Sequence, residues 1–291
     1  MQTLVTFVFK FLAALPLAWL HKLGNLLGSL GFRVLSKDRR RVFENMKLAG
    51  LNPTDEAVKK VFRETAKGGL ELPVAFFRRP EEIENLFVSV NGWEHVQTAL
   101  SAGEGLLFIT PHIGSYDLAG RYISQQLPFP LTAMYKPPKI KAFDAVMQAG
   151  RVRGKGKTAP TSIQGVKQII KALRGGEATI VLPDHVPSPE EGGDGVWVEF
   201  FGKPAYTMTL AGKLAQVKGV KALFFCGERL PDGKGFVLHI EPLRGELNGD
   251  KENDARVINE NTEYWIRRFP EQYLFMYNRY KHPEGAPLPP A

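Results

Sequence analysis

The chain opens on a run that is apolar on almost every side, "LVTFVFKFLAALPLAWLHKLGNLLGSLGFRVLS", with Lys10 as its only charge before His21. Beyond it the pattern becomes periodic. Residues 54–70, "TDEAVKKVFRETAKGGL", have helical spacing, with Thr54 in the capping position, Asp55 and Glu56 in the first turn and Gly68–Gly69 as the predicted stop. "LFVSVNG" (86–92) alternates like a half-buried strand, and "WEHVQTALSAG" (93–103) predicts a helix closed by Gly103. "GLLFIT" (105–110) is continuously apolar, as a strand covered on both faces would be. Helical spacing follows over 114–127, a strand over 131–136, helices over 140–150 and 163–174, and a strand at "ATIVLP" (178–183). "VWVEFFGK" reads as a strand and 207–218 as containing a helix; "VKALFFCGERL" then turns through "PDGKG" into "FVLHIEPL", a hairpin. A long helix is predicted over 251–268.

Alternating strands and helices predict an α/β fold: a mostly parallel mixed sheet flanked by helices, with one hairpin edge. The division that follows is residues 1–35 as an N-terminal hydrophobic membrane anchor, 36–285 as one catalytic domain, and 286–291 as a frayed tail. Leu4–Leu20 is at the short edge of a spanning helix, and Pro16 and Lys10 weaken it as a span. Membrane association through residues 4–30 is therefore expected either as a short span or as an in-plane helix, with a buried core helix as the competing reading. No basic residue precedes the run and no small-x-small site follows it, so a signal peptide fits poorly. Lys37, Arg39, Arg40 and Arg41 follow directly, where a cytoplasmic, anionic lipid surface would attract them.

Charge sharpens this picture. The net charge of +8 favours anionic partners, whether nucleic acid, lipid headgroups or acidic proteins. The single cysteine, Cys226, sits in an apolar run; it excludes a disulfide framework and reads as a core thiol.

The candidate chemistry lies in "PHIGSYD" (111–117). His112 falls just past the carboxyl end of a buried strand, where open α/β sheets place their ligands. Asp117 lies five positions on, wrong for one helical face, but able to look back at His112 if the chain turns at Gly114. A base oriented by a carboxylate, part of a metal site, and two satisfied loop residues all remain open for this pair. Ser115 lacks the G-x-S-x-G elbow of a nucleophile. Downstream, "KPPKIKAFDAVMQAGRVRGKGK" carries Lys136, Lys139, Lys141, Arg151, Arg153, Lys155 and Lys157 against Asp144 alone. Such a stretch is either a solvated basic face or a phosphate-binding border of the same cleft. Its "GKGKT" has the wrong spacing for a P-loop. "VLPDHV" (181–186) puts Asp184 and His185 at the end of a further strand, so a mixed metal site with His112 and Asp117 is conceivable.

Taken in order, seven pieces resemble the late acyltransferases of lipid A assembly in Gram-negative bacteria, within the His-x4-Asp/Glu acyltransferase superfamily. They are the apolar N-terminus, "TPHIGSYD", "GRVRGKG", "LPDHV", "VEFFGKPAYT", "LPDGKGFVLHIEPL" and "PEQYLFMYNRYKHPEG". The resemblance implies an inner-membrane enzyme facing the cytoplasm. It would move an acyl chain, lauroyl or similar, from acyl carrier protein to a hydroxyl of a lipid A precursor. Carried over by position, His112 is the general base and Asp117 its orienting partner; Arg151 or Arg153 lies in the arginine block and Asp184 in the later acidic block. The family often has an aromatic and a Glu after the His, where this chain has "IGSYD", so the shorter Asp alters the reach of the relay.

Acyl transfer from a thioester needs a base for the alcohol and donors for the oxyanion, which an Arg or a backbone N–H near Gly114 could supply. Lys136 joins the basic border expected to meet phosphates. Phe200, Phe201 and Tyr206, with Met208, are candidates for an acyl-chain pocket or for ordinary core. No cofactor, metal or nucleic-acid partner is expected. The alternatives are a glycerophospholipid acyltransferase with the same chemistry, a metal-dependent phosphoesterase on His112, Asp117, Asp184 and His185, and a non-catalytic module binding anionic membranes.

Overall fold

The structure, a computed structural model, describes residues 2–138 and 141–289. Lys139 of the basic stretch, the predicted helix start at residue 140, and residues 290–291 of the tail lie outside the described residues.

The apolar N-terminus forms two helices, α1 (Gln2–Ala14) and α2 (Leu17–Val34), with Pro16 between them. Proline cannot continue the hydrogen-bond ladder of α1, and the two axes meet at 116°. Among the described residues no single helix is long and apolar enough to cross a membrane; only this bent pair passes that test together, on length and composition. Both helices bury one side. Leu4, Phe7, Val8 and Phe11 on α1, and Trp19, Leu26, Leu27, Leu30 and Val34 on α2, stay exposed. The basic cluster lies at the start of α3 (Ser36–Leu48), where Arg40 and Arg41 pair with Glu44 and Asp38 of the same helix.

α4 (Asp55–Phe77) starts at the predicted Thr54 cap, whose side chain accepts the Ala57 N–H. It does not stop at Gly68–Gly69. Each glycine costs an exposed helix about 1 kcal/mol, but Val74, Ala75 and Phe76 beyond them are buried, and that packing carries the helix through Pro73. α2 lies against α4 closely enough that a Cβ on Gly28 would stand 2.4 Å from Arg63 Cα. After α5 (Pro80–Glu84) come β1 (Phe87–Asn91), α6 (Trp93–Ser101), β2 (Gly105–Ile109), α7 (Tyr116–Gln126) and β3 (Leu131–Tyr135). α8 (Lys141–Arg151), β4 (Gly156–Pro160), α9 (Ile163–Arg174) and β5 (Ala178–Val181) complete the alternating part.

The remainder is β6 (Gly195–Phe200), β7 (Lys203–Met208), α10 (Leu210–Ala215), β8 (Val220–Arg229), β9 (Phe236–Pro242) and α11 (Lys251–Arg268). The main sheet runs β1-β9-β8-β2-β5-β3-β4, and every pairing is parallel except the β8–β9 hairpin. This is the expected mixed sheet. β4 and β7 were not predicted: β4 is a polar edge strand ending in Pro160, and β7 pairs only with β6 in a separate hairpin. β2 sits at the centre of the main sheet with all five residues buried, which fixes the loop that follows it. At the other end of the chain, the Pro287 carbonyl accepts a hydrogen bond from Trp197 Nε1 at 2.8 Å, so the described tail is tied to β6.

Candidate active site

β2 and β5 are neighbours in parallel register, with Ile109 opposite Val181. Three residues beyond each, the chain reaches His112 and Asp184. His112 Nδ1 and Asp184 Oδ1 are 2.8 Å apart, and the His112 amide donates to Asp184 Oδ2 at 2.9 Å. One carboxylate thus fixes both the ring and the backbone of the histidine. Burial opposes a charged imidazole, but the Asp184 carboxylate outweighs it, and the His112 pKa is raised above its ordinary value. Asp184 is itself buried; its pair with His112 overcomes that and holds it well below the usual carboxylate range.

This corrects the sequence expectation for Asp117. The carboxylate hydrogen-bonded to Nδ1 is Asp184, whereas Asp117 lies in the first turn of α7 with its Oδ1 3.5 Å from Arg151 Nη2. Burial raises the Asp117 pKa, with Arg151 and then His112 opposing the shift. Asp117 remains close enough to contribute to the field on His112 without a bond to its Nδ1.

The loop itself is tied down at every peptide. The Ile113 amide donates to Pro111 O, Gly114 to Gln272 O and Ser115 to Gly227 O, while the His112 carbonyl accepts from Leu274 N–H. Gly114 turns the chain as expected, at φ +58°, and a Cβ there would meet Gly227 O at 2.1 Å. Its amide is therefore committed, and the same holds for every amide from His112 to Ser115.

Behind the loop lies a buried charge network that no motif announced. Arg229, at the end of β8, donates to Glu71 Oε1 and Oε2 at 2.5 and 2.7 Å, to Glu64 Oε2 at 2.8 Å and to the Gly114 carbonyl at 3.2 Å. His21 Nε2 of α2 reaches Glu71 Oε1 at 2.7 Å. A continuous path of hydrogen bonds therefore joins the N-terminal helix pair, through α4 and β8, to the histidine loop.

His112 opens on a cavity of about 430 Å³. Its lining follows β3 from Lys136 back to Leu131, roughly 16 Å at about 3.3 Å per residue. The opposite wall is α7, from Asp117 through Gly120 and Arg121 to Ser124, about 10 Å along the helix. Ala133, Met134, Ile180, Val181 and Phe76 make the middle apolar. The far end is polar. Arg121 is 8% exposed and burial lowers its pKa to about 10. Its Nη1 donates to the Arg153 carbonyl, while among the described residues Arg121 Nε and Ser124 Oγ have no hydrogen-bond partner.

The other predicted site residues divide. Arg151 lines the cavity; Arg153 does not, because its Nη1 donates to the carbonyls of Phe76 and Arg78 at the end of α4. Lys136 lines the cavity at its rim and pairs with Glu191 at 2.5 Å. Phe200, Phe201 and Tyr206, the residues expected to form an acyl pocket, do not line this cavity. Phe201 sits at φ +51° in the turn between β6 and β7 under the Arg267 guanidinium, Phe200 is buried beneath Arg279, and Tyr206 packs on Trp197. Of that group only Met208 reaches the cavity. His185 also lines it, its ring stacked on His112 at 4.2 Å. Among the described residues no group of three or more His, Cys, Asp and Glu is arranged to hold a metal ion, so the four residues of the phosphoesterase alternative do not form a ligand set.

Residues 1–282 match the family model described as bacterial lipid A biosynthesis acyltransferase. Among curated proteins, the chain is 28% identical over 280 residues to the lipid A biosynthesis lauroyltransferase of Escherichia coli K12, covering 94% of this chain and 89% of that one. It is 26% identical to the lipid A biosynthesis acyltransferase of Haemophilus influenzae (93% and 84% covered). Against the lipid A biosynthesis myristoyltransferase of E. coli K12 the identity is 27%, with 88% and 78% covered.

Proposed function

Because the chain belongs to the bacterial lipid A biosynthesis acyltransferase family and is an acyltransferase, we propose that it transfers a fatty acyl chain from acyl carrier protein to a hydroxyl of a lipid A precursor. His112 is the general base and Asp184 the carboxylate that orients it. The observation that carries this reading is the His112–Asp184 pair set at the head of a deep, largely apolar cavity. With the proton held at Nδ1 by Asp184, Nε2 is left to take a proton from an alcohol. An acyl chain laid along β3 removes its methylenes from water, at about 0.8 kcal/mol each.

Asp117 and Arg151 form the polar wall beside the base. Lys136, Arg151 and Lys157 line the cavity and are the cations offered to an acceptor phosphate. A chain of lauroyl length is the working assignment. The exposed apolar faces of α1 and α2, followed by the basic start of α3, suit an in-plane seat on the cytoplasmic face of the inner membrane, where the acceptor resides.

The test is acyl transfer in detergent, with EDTA present, from acyl carrier protein thioesters of several lengths to a tetra-acylated lipid A precursor. The expected result is transfer by wild type and its loss in folded His112→Ala. No transfer by folded wild type at any chain length overturns the reading, and a glycerophospholipid acceptor is then the next substrate to offer.

A further inference from the structure

A thioester carbonyl under attack develops a negative oxygen, and acyl-transfer sites place hydrogen-bond donors at that oxygen. The amides beside the base are the first place to look, and here they are taken. His112 N–H goes to Asp184, Ile113 N–H to Pro111, Gly114 N–H to Gln272 and Ser115 N–H to Gly227. Of the side chains around His112, Arg151 faces Asp117, and Lys136 is paired with Glu191.

His185 differs from all of these. Its ring lies 4.2 Å from that of His112 and within 17° of parallel, and both rings border the same cavity. Its other side rests on Tyr277 at 4.5 Å, and the Tyr277 hydroxyl is fixed by the Val186 N–H at 2.9 Å. The imidazole is held between two rings, and its exposed edge borders the cavity.

We propose that His185 is a second catalytic residue, a neutral imidazole whose N–H donates to the oxyanion formed on the acyl carbonyl while His112 carries the proton. The proposal rests on the acyl-transfer reading above. In the step, the acceptor hydroxyl gives its proton to His112 Nε2 and its oxygen bonds to the carbonyl carbon. The carbonyl π pair moves onto oxygen, where the His185 N–H holds it. When that pair returns, the C–S bond breaks, and the thiolate takes the proton back from His112. The products are an ester and a thiol.

The charge state fits the role. Two stacked imidazoles cannot both be cations at low cost. Burial first, and then His112, lower the His185 pKa to about 4, with Lys281 and Arg279 acting the same way and Asp184 opposing. His185 stays a neutral donor at the moment His112 is charged. A neutral histidine serving as the electrophile is an established solution elsewhere.

Three variants of the full chain test this under the transfer assay: His185→Ala, His185→Phe and His185→Gln. Loss of an oxyanion donor typically lowers kcat about 10²–10³-fold. That loss is expected in Ala and Phe, with the acceptor KM within a few-fold of wild type. Gln, which keeps an N–H donor, should recover at least about tenfold of it. Phe retains a ring between His112 and Tyr277, so a purely packing role predicts that Phe is active and Gln is not; that result overturns the proposal. So does a kcat within about threefold of wild type in all three. If Ala is unfolded, Phe and Gln decide by themselves. Absence of transfer by wild type is a separate outcome, which removes the acyl-transfer reading and this proposal together.

Discussion

His112 Nδ1 and Asp184 Oδ1 stand 2.8 Å apart although 72 residues separate them in the chain. Each lies three positions past a residue of the other's paired strand, Ile109 opposite Val181, so the contact is a product of sheet register. The position of His112 against Asp184 is therefore set by the centre of the sheet and not by a local turn.

The first prediction concerns pH. A general base must be neutral in the free enzyme, and Asp184 raises the His112 pKa above 6.5. The acidic limb of kcat/KM should accordingly lie above pH 6.5, with activity lost as pH falls through it. In Asp184→Asn the main raising influence is gone and burial is left to lower the pKa, so the limb should move to lower pH. The plateau should fall by about 10²–10⁴, the usual worth of general-base help, because Asn can hold the wrong tautomer. A limb that stays in place in Asp184→Asn counts against this pairing. Asp117→Asn should move it less.

Chain length is the second. The cavity ends at Arg121, a buried guanidinium with an unpartnered Nε, beside the unpartnered Ser124 hydroxyl. A methyl terminus pushed against these groups desolvates them without giving a hydrogen bond in return. Up to that floor, each added methylene should improve kcat/KM about fourfold, from about 0.8 kcal/mol of burial; beyond it the trend should reverse. Arg121→Leu should shift the best donor toward longer chains. The check is a series of acyl donors assayed with both proteins, and an unchanged optimum would refute the assignment of the floor.

A third prediction is about stability in acid. The pair with Arg229 lowers the Glu71 pKa from 4.5 to about 2 against its burial, with His21 adding to the effect. A carboxylate whose folded pKa is depressed binds fewer protons than it does unfolded. Its stabilisation is complete above pH 4.5 and is lost as pH falls toward 2. Glu71→Gln should be less stable at pH 7 by about 3 kcal/mol, because among the described residues Arg229 is then left with Glu64 as its charged partner. Urea titrations from pH 7 to 2 should show a shallower decline for the variant over that window.

The fourth concerns the seam between α2 and α4. Gly28→Ala would put a methyl 2.4 Å from Arg63 Cα and 2.6 Å from the Phe62 carbonyl, where no flexible side chain can yield. Overpacking of this kind costs about 1–3 kcal/mol. The melting temperature should fall, and α2 should become more open to protease than in wild type.

Most of the fold was legible because β2, β5 and β8 are apolar runs and α9 and α11 keep a clean helical period. The histidine loop was legible too, since it directly follows a buried strand. Its partner was not. Asp117 is near in sequence and drew the assignment, while Asp184 becomes the partner only once β2 and β5 are known to be neighbours. Strand order is a property of the whole sheet, so no local spacing carries it. Arg229 and Glu71 were hidden for the same reason, lying 158 residues apart, Arg229 in a segment that read as a strand and Glu71 just past the predicted helix stop at Gly68–Gly69. The aromatic run at 200–206 gave no such guide: Phe200, ending β6, packs under Arg279 and against Tyr280, Phe201 packs under Arg267 of α11, and neither lines the cavity.

Two of the bonds that hold the histidine loop come from the end of the chain. Gln272 O receives the Gly114 amide and Leu274 N–H donates to the His112 carbonyl, while the Gln272 side chain clasps both backbone polar groups of Arg229. During synthesis the N-terminal helices and β2 emerge first, yet the peptide that follows β2 lacks these partners until the last few dozen residues have been made. The N-terminal helices are thus complete before the histidine loop is fully held. A copy clipped before Gln272 would keep the His112–Asp184 pair but lose two of the ties on its loop, so it should show reduced activity in the transfer assay.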